Sequence, residues 1–510
     1  MSDNKIKDIA PEKFRFVQKD VKLHDTKFET RPIGYFKDAW YRFSRNKGSV
    51  VAAVIIVLLL LFAVLVPIFS RFNVRYSDTR YSYVLPKSQF LSQFGILDGH
   101  KKFTGLNQQS YDYYNSIPGA VVEVYNIYEV DDAGRTNTFY DIEMDTYAQV
   151  GFATMTLTQD EYNAVTEYEQ ETGRQVIYPV VNRNEIKFAS YNTDVNVWYA
   201  HDARGRAEYN DDGSYQNIFQ TATEENIADG NYMVVDGSGN LDENGEYVVR
   251  RYTKKNDGAT YEVRARYSEW YLYQNGFEAS FLFGVDSFGK DILVCLASGA
   301  RLSFALSIGV SIINLAIGLI YGSIEGYYGG KVDLVMERIV EVLYDIPFIV
   351  MATLFQIYFA RQVGTLGALL FAFVLTGWIG IAGRTRAQFY RYKGQEYVLA
   401  ARTLGAKDRR IIFRHILPNA LGTIVTSAVL LIPGVINSEA MLSFLGIVNL
   451  QTGNTTSVGT MLAGGQSALS TYPHVIFFPA VFLALLMICF NMFGNGLRDA
   501  FNPSLRGSEE

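Results

Sequence analysis

Residues 396–419 read EYVLAARTLGAKDRRIIFRHILPN. The stretch is basic and helix-prone, yet apolar runs long enough to cross a bilayer lie on both sides of it. Residues 395–404 set Ala400 and Ala401 beside Leu399 and Leu404, a strong helix former with a small-residue face. Gly405 can stop that helix in a left-handed cap. A second helix over 406–417 carries Ile411, Ile412 and Ile416 as an apolar stripe against Lys407, Arg409, Arg410 and Arg414. Pro418 then ends it or sets its approach angle to the next apolar run. The pattern predicts a rigid helix–turn–helix knuckle, a shape suited to docking in a groove on another protein. An interfacial helix on anionic lipid would explain the basic rim but not the small-residue surface.

Five runs, 50–70, 302–323, 363–383, 416–438 and 472–494, lack Asp, Glu, Lys and Arg. Each has about the 20 residues that a helix needs to cross a hydrocarbon core. A sixth, 346–360, is short, but the amphipathic stretch 332–345 before it can extend the helix out of the membrane, so six spans are expected. The first span is preceded by 47 or so residues and followed by no small-residue cleavage site, unlike a cleavable signal peptide. The two cysteines, Cys295 just before the second span and Cys489 inside the last, exclude a disulfide framework. Residues 1–47 carry twelve Lys/Arg, and 384–415 carry nine against two acids. The positive-inside rule puts both in the cytoplasm, and six spans starting inside put the second there too.

The expected organisation is a cytoplasmic tail (1–47), a first span (48–70), an extracytoplasmic α+β domain (71–283), a core of five further spans (284–497) and a cytoplasmic tail (498–510). The N-terminal tail ends in a helix, 35–46, whose Phe36, Trp40 and Phe43 suit either a membrane-surface helix or an ordinary positive flank. The segment 71–283 holds 24 of the 35 tyrosines and 18 basic against 32 acidic residues, a balance that disfavours nucleic acid and anionic lipid as partners. Strands are expected in GAVVEVYNIYEV, TNTFYDIEM and RQVIYPVV, and a helix opened by a Thr158/Glu161 capping box in TQDEYNAVTEYEQETG. Asp-Gly or Asn-Gly turns are expected at 212–213, 236–237, 244–245 and 257–258.

No catalytic, metal or cofactor set emerges. GVDSFGKD (284–291) has the Gly/Lys spacing of a phosphate loop, but Asp291 replaces the Ser/Thr and repels phosphate; GYYGGKV (326–332) is a residue short. NLDENGEYVV begins like a calcium loop but has Arg251 where a bidentate acid belongs, and reads as a hairpin turn. The five histidines are scattered, with no HExxH and no Cys/His pairing. Glu439 is the exception in nearly uncharged spans and the candidate pathway residue; Glu337, Glu341 and Asp345 read as an interfacial face.

LAARTLGAKDRRIIFRHILPN resembles the cytoplasmic loop of permease subunits in binding-protein-dependent ABC importers, with Ala400, Ala401, Gly405, Leu417 and Pro418 in the motif positions. Leu399 and His415 depart from it, standing where Glu and Ile are common. RHILPN, FGVDSFGKD (283–291), GYYGGKVD (326–333) and FNMFGNGLRDAFNPSLR (490–506) resemble the oligopeptide/dipeptide branch, with Asn495 where Asp is common. Matching residues of the second segment are Gly284, Asp286, Gly289, Lys290 and Asp291. The resemblance implies a mainly α membrane protein of the type I importer permease fold, working with a second permease, two cytoplasmic ATPases and an extracytoplasmic peptide-binding protein. It implies that Leu399, Ala400, Ala401, Arg402, Gly405, Ala406, Ile416, Leu417 and Pro418 couple to an ATPase. ATP hydrolysis would then lie on the partners. Nickel chelates or glycans are the alternative cargo, and an ion-driven transporter is the alternative class. Family members usually carry a short link where this chain has some 200 residues, an expected insertion that docks the binding protein or shields the channel mouth, or else a receptor module.

Overall fold

The computed structural model describes residues 35–132, 135–235, 248–451 and 455–501. Helix α1 (Tyr35–Arg45) meets α2 (Lys47–Phe69) at Asn46, whose side chain accepts from the Ser49 N–H and caps α2. Ala52, Ile56 and Ala63 of α2 are buried against Leu296, Ala300 and Phe304, and against Phe482 and Leu486 near the chain's end. On α1, Phe43 packs edge-on against Phe493 at 5.5 Å while Trp40 stays 70% exposed. The Phe43 side of the expected membrane-surface stripe thus faces protein.

An α+β region follows: β1 (His100–Asn107), α3 (Gln108–Asn115), β2 (Val121–Asp132), β3 (Arg135–Asp145), β4 (Phe152–Thr158), α4 (Gln159–Thr172), β5 (Ile177–Tyr178), α5 (Glu224–Ala228), β6 (Tyr232–Val234), β7 (Val248–Arg250), β8 (Thr253–Lys255), β9 (Thr260–Arg266) and α6 (Tyr267–Asn275). One antiparallel sheet runs β1-β3-β2 and another β4-β9-β5 with β8 also on β9; β6 pairs β7. The core under the second sheet is Leu157, Tyr162, Val165, Ile177, Tyr261 and Val263. The capping box forms as expected, with Thr158 N–H donating to Glu161 at 2.8 Å and Glu161 N–H to Thr158 at 3.3 Å. Of the strand expected in 174–181, Ile177–Tyr178 pairs with β9 and Val181 makes an isolated antiparallel bridge to Phe219. Asp257 and Gly258 take positive φ between β8 and β9, as their turn requires. The turns expected at 236–237 and 244–245, and the turn of the calcium-like stretch, lie outside the described residues.

The rest is helical: α7 (Ile292–Tyr328), α8 (Gly330–Tyr344), α9 (Phe348–Gly377), α10 (Ile379–Tyr392), α11 (Glu396–Thr403), α12 (Asp408–Arg410), α13 (Leu417–Val429), α14 (Leu431–Phe444), α15 (Val458–Gly465) and α16 (His474–Ala500). Among the described residues, five stretches are long and apolar enough to cross a membrane: Lys47–Phe69, Ile292–Tyr328, Phe348–Tyr392, Asp408–Phe444 and His474–Ala500. The third hides a reversal. Gly364 sits at φ 79, ψ 159, a conformation open essentially to glycine. Across it the Gln356 side chain donates to the Thr365 carbonyl at 3.0 Å, and the Phe348 and Phe373 rings stack at 5.0 Å. A straight helix would hold those rings roughly 37 Å apart, so α9 is a hairpin of two antiparallel arms.

Two expectations are corrected here. Residues 332–345 do not extend the third span: α8 is a separate helix, because Pro347 bars helical geometry before it and caps α9. The second helix of the knuckle is not one regular helix over 406–417. A single turn, α12, passes into a wide π turn at Ile411–Ile416 before α13. Pro418, in the first turn of α13, has no N–H and its ring crowds the carbonyl four residues back; the wide turn makes that room.

Candidate functional site

The knuckle is built from the inside outward. Val398, Ile411 and Ile416 are fully buried with Phe389 of α10, and Tyr327 and Ile412 close the cluster. α11 ends as the sequence predicts. Gly405 takes φ 81, its N–H donates to Arg402 O at 3.0 Å, and the Ala406 N–H donates to Ala401 O at 3.0 Å, the paired bonds of a Schellman cap.

Polar straps tie this base to the end of α7. The Tyr327 hydroxyl donates to Asp408 at 2.6 Å and receives Arg402 at 3.4 Å. Lys393 donates to the Gly326 carbonyl at 2.9 Å while lying 3.8 Å over the Tyr390 ring. Burial lowers the Lys393 pKa from the ordinary lysine value. Beside it, Arg386 grips Asp333 with two bonds of 2.6 and 3.0 Å and reaches Glu337 at 3.1 Å. The Arg386 guanidinium in turn holds the Asp333 carboxyl below its usual range.

What emerges from the base is apolar. Leu404 is 89% exposed and Leu399 47%, with Ala400 and Gly405 open beside them. Lys407, Arg409, Arg410, Phe413 and Arg414 line a shallow groove of about 450 Å³ alongside. The nominated residues therefore divide. Leu399, Ala400, Arg402 and Gly405 form the tip; Ala401, Ala406 and Leu417 are half-buried; Ile416 is in the base; Pro418 is exposed at the start of α13.

Sequence reasoning missed the supporting residues Tyr327, Phe389, Lys393, Val398 and Asp408. It also missed a packing seam. Gly318, Gly322 and Gly326 recur every four residues on α7, and a Cβ on any of them would collide with Ile381, Ala382 or Phe389 and their neighbours on α10. That spacing is the available signal for close helix contact.

The segment 283–291 is brought to the opposite end of α7. Asp286 accepts from the N–H groups of Phe288 at 2.8 Å and Lys290 at 2.9 Å, so the amides that a phosphate would need serve the chain's own carboxylate. Gly289 takes φ 73 with its Cα against the Asp78 backbone, and Asp291 caps α7 by accepting from Leu293 N–H at 2.8 Å. Burial pushes the Asp291 carboxyl up to about 6, against the opposing pull of the Leu293 and Val294 amides. Gly284 also has positive φ, packed against His474. Glu439 is 1% exposed, accepting from Ser303 at 3.0 Å and Ser443 at 3.1 Å, inside the packing of α7 and α14 rather than on a free face.

Among the described residues, Asp98, His100 and Glu143 hold potential metal-ligand atoms within 4.8 Å of one another. His100 Nδ1 lies 3.0 Å from Glu143, a direct hydrogen bond, and Asp145 beside them pairs with Lys87 at 3.3 Å.

Residues 295–507 match the family model of the binding-protein-dependent transport system inner membrane component, and 34–86 match the N-terminal TM domain of oligopeptide transport permease C. Residues 87–294 fall in neither. The oligopeptide transport system permease protein OppC of Bacillus subtilis is 42% identical over 224 residues, 44% of this chain and 72% of that protein. The dipeptide transport system permease protein DppC of the same organism is 40% identical, over 44% and 69% respectively. OppC of Escherichia coli K12 is 36% identical, over 45% and 74%. A solved chain of the MetNI methionine ABC transporter, inward-facing, aligns at a TM-score of 0.35 with 20% identity, covering 41% of this chain and 96% of that one. With nearly three quarters of a relative covered at 42% identity, the chain belongs to the oligopeptide/dipeptide permease family of binding-protein-dependent transport inner membrane components.

Proposed function

We propose that this chain is the C-type permease subunit of an ATP-driven importer of oligopeptides or dipeptides, forming half of the pathway with a second permease. The observation that carries the coupling role is the knuckle: an exposed apolar tip, Leu399, Ala400 and Leu404, on a buried and strapped base. A tip of that kind suits a cleft on a cytoplasmic ATPase, and the basic groove beside it suits an acidic rim. The α9 hairpin supports six crossings, and the positive-inside count supports cytoplasmic termini with 71–283 outside. On this reading the acidic, Tyr-rich region 71–283 receives the peptide-binding protein or screens the pathway mouth. Glu439 cross-links α7 and α14 beside the pathway.

The test is affinity purification of the tagged chain in mild detergent, with its partners identified by mass spectrometry. Two ATPases and a second permease should co-purify. Recovery of the chain alone, active in proteoliposomes without ATP, would refute the proposal.

A further inference from the structure

The ten residues 88–97, SQFLSQFGIL, carry no charge within a region of 18 basic and 32 acidic residues. They form a closed, ordered loop. Ser88 N–H donates to Leu97 O at 2.8 Å, Ser92 N–H to Ser88 O at 2.9 Å, and Gly95 N–H to Ser92 O at 3.0 Å; Lys87 and Asp98 bridge its neck. Yet the loop turns its large apolar side chains outward. Phe90 is 69% exposed, Phe94 67% and Ile96 57%, with the two rings edge-on at 5.8 Å. A hydrogen-bonded loop that presents three apolar side chains together is built to meet an apolar surface.

Its position says which surface. Phe90, Gln89 and Ser88 line one cleft of about 390 Å³ together with Ser70 and Arg71, where α2 ends, and Asp291 and Leu293, where α7 begins. The loop therefore sits at the level at which two apolar helices leave the bilayer. The last residues of α2, Ile68 at 62% and Phe69 at 79% exposure, just before Ser70, are exposed apolar side chains as well. Arg71 stacks on Phe277 at 4.8 Å at that level, a guanidinium at headgroup height. Aromatic side chains are enriched at this interface.

We propose that the loop 88–97 is an outer-leaflet anchor: Phe90, Phe94 and Ile96 insert among phospholipid acyl chains and hold the α+β region against the membrane. The absence of charge in the loop lets it do so within a region whose overall acidity repels anionic lipid. The proposal rests on α2 and α7 being membrane spans, which the control below checks separately.

The test uses the full-length chain in phosphatidylcholine nanodiscs, spin-labelled singly at Phe90→Cys, Phe94→Cys, Leu58→Cys on the exposed face of α2, and Asp211→Cys in an exposed turn. Native Cys295 and Cys489 are buried, and each labelled position is exposed, so no core packing is removed. Collision rates with oxygen, which partitions into lipid, and with a water-soluble nickel chelate report depth. The lipid-like ratio at 58 establishes the span. The expected result is an oxygen-to-nickel ratio at 90 and 94 several-fold above that at 211 and approaching that at 58. A ratio at 90 and 94 equal to that at 211 overturns the anchor while leaving the span intact. So does shielding from both agents, which would put the loop against protein.

Discussion

Gly405→Arg and Gly405→Ala separate what the tip does from what its backbone needs. A Cβ built at Gly405 meets nothing within 4 Å, so neither substitution clashes inside the protein. Both force a side chain into φ 81, costing roughly 1–2 kcal/mol. The base beneath resists that cost. Each of Val398, Ile411, Ile416 and Phe389 is fully buried, and each contributes roughly 1.5–3 kcal/mol. The knuckle should therefore keep its shape in both variants. The docked state differs: an arginine beside Leu404 would hold it off a partner's groove, forfeiting about 2 kcal/mol of burial, or roughly thirty-fold in docking. Peptide uptake and peptide-stimulated ATP hydrolysis by the reconstituted importer are the readouts. Gly405→Arg should reach the membrane normally and lose at least ten-fold of its uptake per ATP, while Gly405→Ala keeps most of it. Normal uptake by the arginine variant would refute docking through this tip. Equal damage from alanine would show that left-handed backbone, not contact, is what the position supplies.

Tyr327→Phe removes the hydroxyl that joins Asp408 to Arg402. A hydrogen bond to a charged group is worth roughly 1.5–3 kcal/mol, so the variant should unfold at lower temperature in detergent and couple less tightly, measured by thermal scanning and by uptake per ATP. Gly322→Ala places a methyl on the Ala382 carbonyl and should lower the amount of folded protein by size-exclusion profile, whereas Gly383→Ala, with open space, should not. Asp291 titrates at about 6 when folded, above its ordinary 3.8, so the folded state binds the proton more tightly and stability is lost as pH rises from about 4 through 6. Asp291→Asn keeps a capping side chain, so it should raise the melting temperature at pH 7.5 by removing up to about 3 kcal/mol of strain and flatten its dependence between pH 4 and 6.

The first helix of the knuckle with its Gly405 cap, the capping box of α4 and the apolar runs were legible because each depends on residues within a few positions of one another. A reversal near Gly364 was legible too, because Arg361 divides the expected span 346–360 from the run 363–383; the residue at which the chain turns was not, and the positive φ of Gly364 with the Gln356 and Phe348 contacts across it decides that. The role of 283–291 was equally hidden. Gly289 must be glycine because the backbone of Asp78, more than two hundred residues earlier, lies against it. Glu439 stood out for its charge, but charge alone does not say whether a carboxylate faces a pathway or is buried between its own helix and α7.

The glycines and the straps together determine what a pull on the knuckle can move. Ile411 and Ile416 rest on Phe389, which belongs to α10, and on Tyr327, which belongs to α7. Those two helices are locked along Gly318, Gly322 and Gly326, where α7 has no side chain and the backbone and Cβ atoms of α10 come up against it. Arg386 on α10 adds α8 through Asp333 and Glu337. Close-packed surfaces transmit displacement because they deform little. Force applied at Leu404 therefore reaches α7, α8 and α10 as one body. The backbone break at Gly364, between the arms of α9, lies outside that body. A knuckle attached to one helix alone could flex without consequence; attached across the glycine seam, it cannot move without carrying the packed helices with it.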